Sequence, residues 1–188
     1  MIVLASQSPR RAELLRNAGI EFHVEPAHIP EEKLAEESPA EYVQRLAREK
    51  ANAVFEKLGG RETVLGADTT VVIDGGILEK PGNAEDAARM LRALSGRKHT
   101  VLTGVCLKGD GFEDVQVEET VVYFAKLSEE EIAEYVATGE PMDKAGAYGI
   151  QGMASRWSER IEGDYFNIVG LPVPRVYRML RDSRNSKV

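Results

Sequence analysis

The spacing of apolar residues changes character twice within the first sixty positions. Met1–Ala5 is an unbroken apolar run, as in a buried strand, and it meets a helix-start signal at Ser8-Pro9, a hydroxyl residue followed by proline. From Pro9 to Ala18, the positions Ala12, Leu14, Leu15 and Ala18 share one helical face, and Gly19 offers a left-handed stop. Ile20–Val24 is expected to be extended. Ser38-Pro39-Ala40-Glu41 announces a second helix, because the serine and the glutamate three residues on can exchange reciprocal capping bonds. Its apolar stripe of Tyr42, Val43, Leu46, Ala47, Ala51 and Val54 reaches Leu58, before Gly59-Gly60.

Two β-rich runs, Thr63–Ala67 and Thr69–Ile73, flank Asp68, and Asp74-Gly75-Gly76 turns into Ile77-Leu78, which predicts a hairpin carrying Asp68 near its middle. Asn83–Leu94 has helical spacing. His99–Leu107 and Glu113–Ala125 alternate like antiparallel partners around Gly109-Asp110-Gly111. Ser128 with Glu131 caps a helix to Ala137, and prolines open a last helix over Pro172–Leu180. The polar tail Arg181–Val188 is expected to fray. No internal repeat and no low-complexity linker divides the chain. The fold class is α/β: helices flanking one mixed sheet, in a single domain.

Composition narrows the function. With 188 residues, 43% of them hydrophobic, the chain can bury a substantial core. Its 31 acidic and 24 basic residues give a net charge of −7, a field that repels a nucleic-acid backbone. A small phosphorylated ligand needs only a local group of cations and amide donors. Cys106 is the single cysteine, which excludes an intrachain disulfide and a thiolate zinc site and suits a reducing compartment. The opening apolar stretch is too short for a secretory signal, and no run approaches the roughly twenty residues of a membrane span. A cytoplasmic protein without nucleic-acid or membrane partners is expected.

Four groups of residues could carry chemistry. Ser6, Ser8, Arg10 and Arg11 stand where a strand hands over to a helix N-terminus, an arrangement that offers amides, hydroxyls and guanidinium forks to phosphate oxygens. The same SxSPRR string is equally an ordinary helix cap with solvated arginines. In Gly66-Ala67-Asp68-Thr69-Thr70 an acid sits within apolar strands, which is costly unless it is paired. Such an acid could be held by a metal ion or a lysine and could take a proton from water; it could also be a turn aspartate. Lys80, in Glu79-Lys80-Pro81, and Lys50, on the second helix, could neutralise phosphate, and Glu31 or Glu32 could bind a metal; each alone reads as a surface charge. Finally, the glycine-rich stretch Gly139–Gly152 lets backbone approach a ligand, and Gln151 offers a donor and an acceptor to a base edge. His23, His28 and His99 lack metal-ligand spacing and read as structural, Trp157 reads as core, and neither a P-loop nor a GxGxxG motif is present.

Taken together, LASQSPRR, REKA at Arg48, GADTTV at Gly66, EKP at Glu79, LSG at Leu94, DKAGAYGIQG at Asp143 and NIVGLP at Asn167 resemble the Maf family, in its order and over nearly the whole chain. The resemblance implies an inosine triphosphate pyrophosphatase-like fold, two lobes around a central nucleotide cleft. It implies hydrolysis of a nucleoside triphosphate at the α-phosphate with a divalent cation, magnesium, manganese or cobalt. Asp68 is then the proton acceptor, and Asp68 and Glu31 hold the metal. Ser6, Ser8, Arg10, Arg11, Glu31, Lys50 and Lys80 line the substrate, while Arg11, Thr69 and Gln151 set specificity. SPRR, GADT and AYGIQG follow the dTTP/UTP branch, whereas the 7-methyl-GTP branch resembles SPWR, G(S/A)DQ and SFKxEG. Asn83 stands where the family more often has aspartate, and it can cap the next helix equally well. The resemblance also suggests a homodimer. It leaves open an alternative, a nucleotide-binding regulator of septum formation with little turnover.

Overall fold

In the computed structural model, which describes residues 1–185, β1 (Ile2–Leu4) leads directly into α1 (Pro9–Asn17), as the apolar spacing predicts. β2 (Phe22–Val24) and a long irregular segment lead to α2 (Pro39–Lys57), whose capping box between Ser38 and Glu41 is fully formed. β3 (Val64–Ile73) turns through Asp74-Gly75 into β4 (Gly76–Leu78), and α3 (Ala84–Leu94) is capped by the Asn83 side chain. β5 (Lys98–Gly109) and β6 (Phe112–Phe124) are joined by two residues, a connection that only antiparallel strands allow. α4 (Glu129–Ala137), three 3-10 turns between Glu140 and Trp157, β7 (Ser158–Glu162), α5 (Tyr165–Val169) and α6 (Val173–Asn185) complete the chain.

The seven strands form one mixed sheet in the order β2-β1-β3-β5-β6-β7, with β4 paired to β3. β1 is parallel to both β2 and β3; β3–β4 and β6–β7 are antiparallel. The chain divides into two compact units, and β3, β5 and β6 each pass from one to the other along their length. The first comprises Met1–Thr69, Thr103–Glu118 and the chain from Gly170; the second comprises Thr70–Leu102 and Glu119–Val169.

In the first unit, α2 lies directly on the sheet. A methyl group on Gly66 of β3 would come within 2.1 Å of the Ala47 carbonyl, and one on Gly104 of β5 within 2.2 Å of the Val43 carbonyl. Glycine at these two places lets helix backbone meet strand backbone. Val3, Ala5, Ala47, Ala51, Val54, Val64 and the thiol of Cys106 pack together beside this contact. Full burial of each such valine contributes roughly 1.5–3 kcal/mol, so the helix is held tightly at that height.

In the second unit, α3 and α4 pack against each other and are bridged by Arg92, which donates two hydrogen bonds through Nε and one through Nη2 to the Glu129 carboxylate. Its aromatic centre is built from edge-to-face pairs, Phe124 with His99, Tyr148 and Trp157, and Trp157 with Tyr135. Trp157 is thus a core residue. His99 is buried and its Nε2 is 2.7 Å from the Tyr148 hydroxyl.

Three elements differ from expectation. Asp68 does not sit between two strands or in a turn, because β3 runs unbroken through it; a buried carboxylate in a strand is tolerated here by the ammonium of Lys50. Arg181–Asn185 continue α6 instead of fraying, in a run free of glycine and proline; the rest of the expected tail, residues 186–188, lies outside the described residues. β7 and α5 have no counterpart in the apolar spacing. The sequence SERIE has one apolar position, too few to signal a strand, and β7 is a mostly exposed strand at the sheet edge.

Candidate active site

Successive residues of a strand face opposite ways, so Gly66 and Asp68 share the face of β3 that α2 covers. Ala47, over Gly66, and Lys50, one helical turn further on, share a face of α2. The close seat at Gly66 therefore delivers the Lys50 ammonium to the Asp68 carboxylate, and the Nζ donates to Oδ1 at 2.6 Å. The carboxylate of Glu31, from the segment before α2, reaches the same Nζ at 2.6 Å. Lys50 and Asp68 are buried, while about half of the Glu31 side chain is open to solvent (49%). One ammonium thus gathers two carboxylates at the edge of the core.

Burial raises the pKa of Asp68 above its ordinary value; Lys50 and Arg11 oppose the shift, and Glu31 adds to it. A carboxylate held in this way accepts a proton more readily than one in water.

On the α1 side, Arg11 is buried and spends four N–H donors inside the protein. Its Nε donates to the Gly170 carbonyl at 2.8 Å, Nη1 to the Ala67 carbonyl at 2.8 Å and to Ser6 Oγ at 3.1 Å, and Nη2 to Thr69 Oγ1 at 3.0 Å. The guanidinium therefore ties α1 to the strand segment on either side of Asp68. Ser6 Oγ also accepts from the Ser8 amide at 3.2 Å and keeps its own hydrogen to donate. Ser8 occupies the N-cap position of α1 but makes no capping bond with its side chain. Arg10, half-buried, follows at the start of the helix, near enough to Arg11 to oppose its charge. Thr69 Oγ1 lies 2.9 Å from Thr103 Oγ1 as well.

The first unit thus brings together Ser6, Arg11, Glu31, Lys50, Asp68 and Thr69. Lys80 and Gln151 belong to the second unit, where both are exposed. Lys80 follows β4. Gln151 sits on a tight turn that is fixed from beneath: the Gly149 amide donates to the Tyr135 hydroxyl at 3.2 Å, that hydroxyl donates to Glu140 Oε1 at 2.9 Å, and the Met153 amide donates to Glu140 Oε2 at 3.3 Å. A methyl group at Gly152 would fall 1.9 Å from Glu140 Oε1. Sequence reasoning missed Glu140 and Tyr135; the closely spaced glycines around Gln151 were the available signal.

Among the described residues, no three His, Cys, Asp or Glu side chains converge as metal ligands. The pair Asp68 and Glu31 nevertheless suits a hard divalent cation, since magnesium is commonly held by one or two carboxylates and completes its shell with phosphate oxygens and water.

A family model described as "Maf-like protein" matches residues 1–183. Among similar chains, the dTTP/UTP pyrophosphatase of Koribacter versatilis is 62% identical over 180 residues, covering 96% of this chain and 93% of that one. The dTTP/UTP pyrophosphatase of Symbiobacterium thermophilum is 55% identical over 179 residues, with 95% and 92% covered. The solved structure of the Staphylococcus aureus Ham1 protein is similar at 16% identity and a TM-score of 0.49, with 84% and 93% covered.

Proposed function

Because the chain belongs to the Maf family, we propose that it hydrolyses dTTP and UTP to the monophosphate and pyrophosphate, removing them from the nucleotide pool. The observation that carries this reading is the buried Lys50–Asp68 pair with Glu31 beside it. A protein that only binds nucleotide, as in a regulator of septum formation, has no need of a buried proton acceptor. Supporting it are the names of relatives that match almost end to end.

In this mechanism Asp68 takes a proton from the attacking water as the water oxygen bonds to the α-phosphorus. The bond from that phosphorus to the bridging oxygen breaks, and pyrophosphate leaves with the electron pair. Lys50 holds Asp68 in place and, with Arg10, balances phosphate charge, while Lys80 is assigned to phosphate by the family resemblance alone. The Ser6 and Ser8 hydroxyls and the amides opening α1 are donors suited to phosphate oxygens. A divalent cation held by Asp68 and Glu31 would supply Lewis acidity to the phosphate and a more acidic water. Arg11 with Thr69, and Gln151, are assigned to the choice of base. We place the enzyme in the cytoplasm, which suits a single buried thiol; among the described residues no helix is long and apolar enough to cross a membrane.

Pyrophosphate release measured over the common and modified triphosphates, with and without magnesium or manganese, tests the reading. Turnover of dTTP and UTP that Asp68→Asn removes is expected. An Asp68→Asn enzyme with normal turnover, or nucleotide binding without any pyrophosphate, would overturn it.

A further inference from the structure

Glu31 lies in a segment, between β2 and α2, that has no regular secondary structure, so something other than a backbone ladder must hold its carboxylate beside Asp68. Its ion pair with Lys50 grips only the end of a side chain that is 49% exposed, and leaves the course of the backbone unset. Ordering a backbone residue costs roughly 1–2 kcal/mol, so a segment without a ladder needs contacts to its own main chain.

The tether is a row of side chains on α2. The Tyr42 hydroxyl donates to the Glu31 carbonyl at 3.0 Å, and Arg45 Nη2 donates to the Glu32 carbonyl at 2.9 Å. The same guanidinium clasps the Glu37 carboxylate, with Nε to Oε1 at 2.6 Å and Nη2 to Oε2 at 2.9 Å. Glu37 Oε2 in turn accepts from the Leu34 amide at 3.2 Å, which closes the end of the segment on itself. This clasp is well shielded, with the Arg45 side chain 19% and the Glu37 side chain 8% exposed. Planar, bidentate and shielded pairs of this kind are the strong ones. Arg45 also stands over the Tyr42 ring, 5.7 Å from its centroid, so the two tethers brace each other.

We propose that Arg45, with Tyr42, is a positioning residue of the active site: it contacts no reacting group but fixes residues 31–37 so that Glu31 reaches Lys50 and Asp68. The inference rests on the role proposed above for Glu31. Tyr42, Arg45 and Lys50 lie on one helix, so the seat of α2 on Gly66 and Gly104 sets the position of both the acid pair and the segment that completes it.

The test is a double-mutant cycle with a structural readout. Arg45→Met and Tyr42→Phe are made in the wild-type and Glu31→Gln backgrounds, and kcat/KM on dTTP is measured for each. Hydrogen exchange of residues 31–37 and of α2 is followed in parallel, without nucleotide. Arg45→Met is expected to lower kcat/KM about tenfold in the wild type and less than about twofold once Glu31 is gone, because coupled sites are not additive. Exchange over 31–37 should accelerate while α2 keeps its protection, and Tyr42→Phe should show the same pattern more weakly. Equal losses in both backgrounds, or unchanged exchange over 31–37, would overturn the proposal. If Arg45→Met unfolds, Tyr42→Phe, which removes one oxygen, carries the cycle alone. A wild-type chain that releases no pyrophosphate would sink the functional reading instead, while the exchange data would still show whether Arg45 holds the segment.

Discussion

Lys50 Nζ and Asp68 Oδ1 are 2.6 Å apart, both side chains are buried, and the two residues come from a helix and a strand that meet backbone to backbone. Their relationship governs the acid side of the activity profile. Burial lifts the Asp68 pKa above the ordinary carboxylate value, and Lys50 is the largest influence holding it down. A base must be unprotonated to act, so kcat/KM should fall as pH drops through a value above that of a free aspartate. Lys50→Met should move this limb to higher pH. A pH profile of the residual activity checks it, and a limb that stays in place or moves downward would refute the assignment of Asp68 as the base.

Gly66→Ala forces a methyl group to 2.1 Å from the Ala47 carbonyl and 2.8 Å from the Ala51 amide, both fixed backbone atoms. The helix must lift, at about 1–3 kcal/mol, and Lys50 moves away from Asp68 with it. Thermal unfolding should fall by about 3–10 °C and activity by at least roughly tenfold. Gly82→Ala, which meets nothing within 4 Å, is the stability control.

Arg11→Lys replaces a planar fork with a point charge that cannot reach Gly170, Ala67, Ser6 and Thr69 together. Buried carbonyls lose their donor while the cation stays buried, a loss of about 2–4 kcal/mol. Chemical denaturation should register it as a lower midpoint with an unchanged slope. A substitution without effect on the midpoint would show that the guanidinium is dispensable as a tie.

Burial holds His99 neutral, with its pKa lowered to about 4. The unfolded chain binds the proton first, near pH 6.5, so the contribution of this residue to stability is complete above that pH and is lost as pH falls towards 4. The loss amounts to about 3 kcal/mol. Urea unfolding at pH 7 and pH 4.5 should therefore show a smaller drop for His99→Gln than for the wild type. Equal drops would mean that the imidazole titrates normally.

Much of this architecture was legible in the apolar spacing. The strand-to-helix start at Ser8-Pro9, the capped α2 and the turn after β3 follow from local chemistry, which needs no knowledge of distant partners. Lys50, Asp68 and Glu31 could be named, but not their convergence, which depends on helix and strand backbones meeting at Gly66. A glycine in a strand signals close approach without saying to what. The apolar pattern breaks at Asp68 for the same reason: the ammonium that lets a carboxylate sit within a strand lies eighteen residues away. Arg45, Glu140 and Tyr135 carry no sequence signal because each acts on backbone atoms of a loop, whose course the sequence does not reveal.

The thiol of Cys106 lies in the core beneath α2, and burial pushes its pKa up to about 12. Such a sulfur is protonated and inaccessible at neutral pH, so it should ignore maleimides and other alkylating probes in the folded protein. The chain is in effect already a labelling scaffold. One cysteine introduced at exposed Glu36 would be the sole reactive handle, and a fluorophore there could report whether the Glu31 segment stays in place during a single turnover.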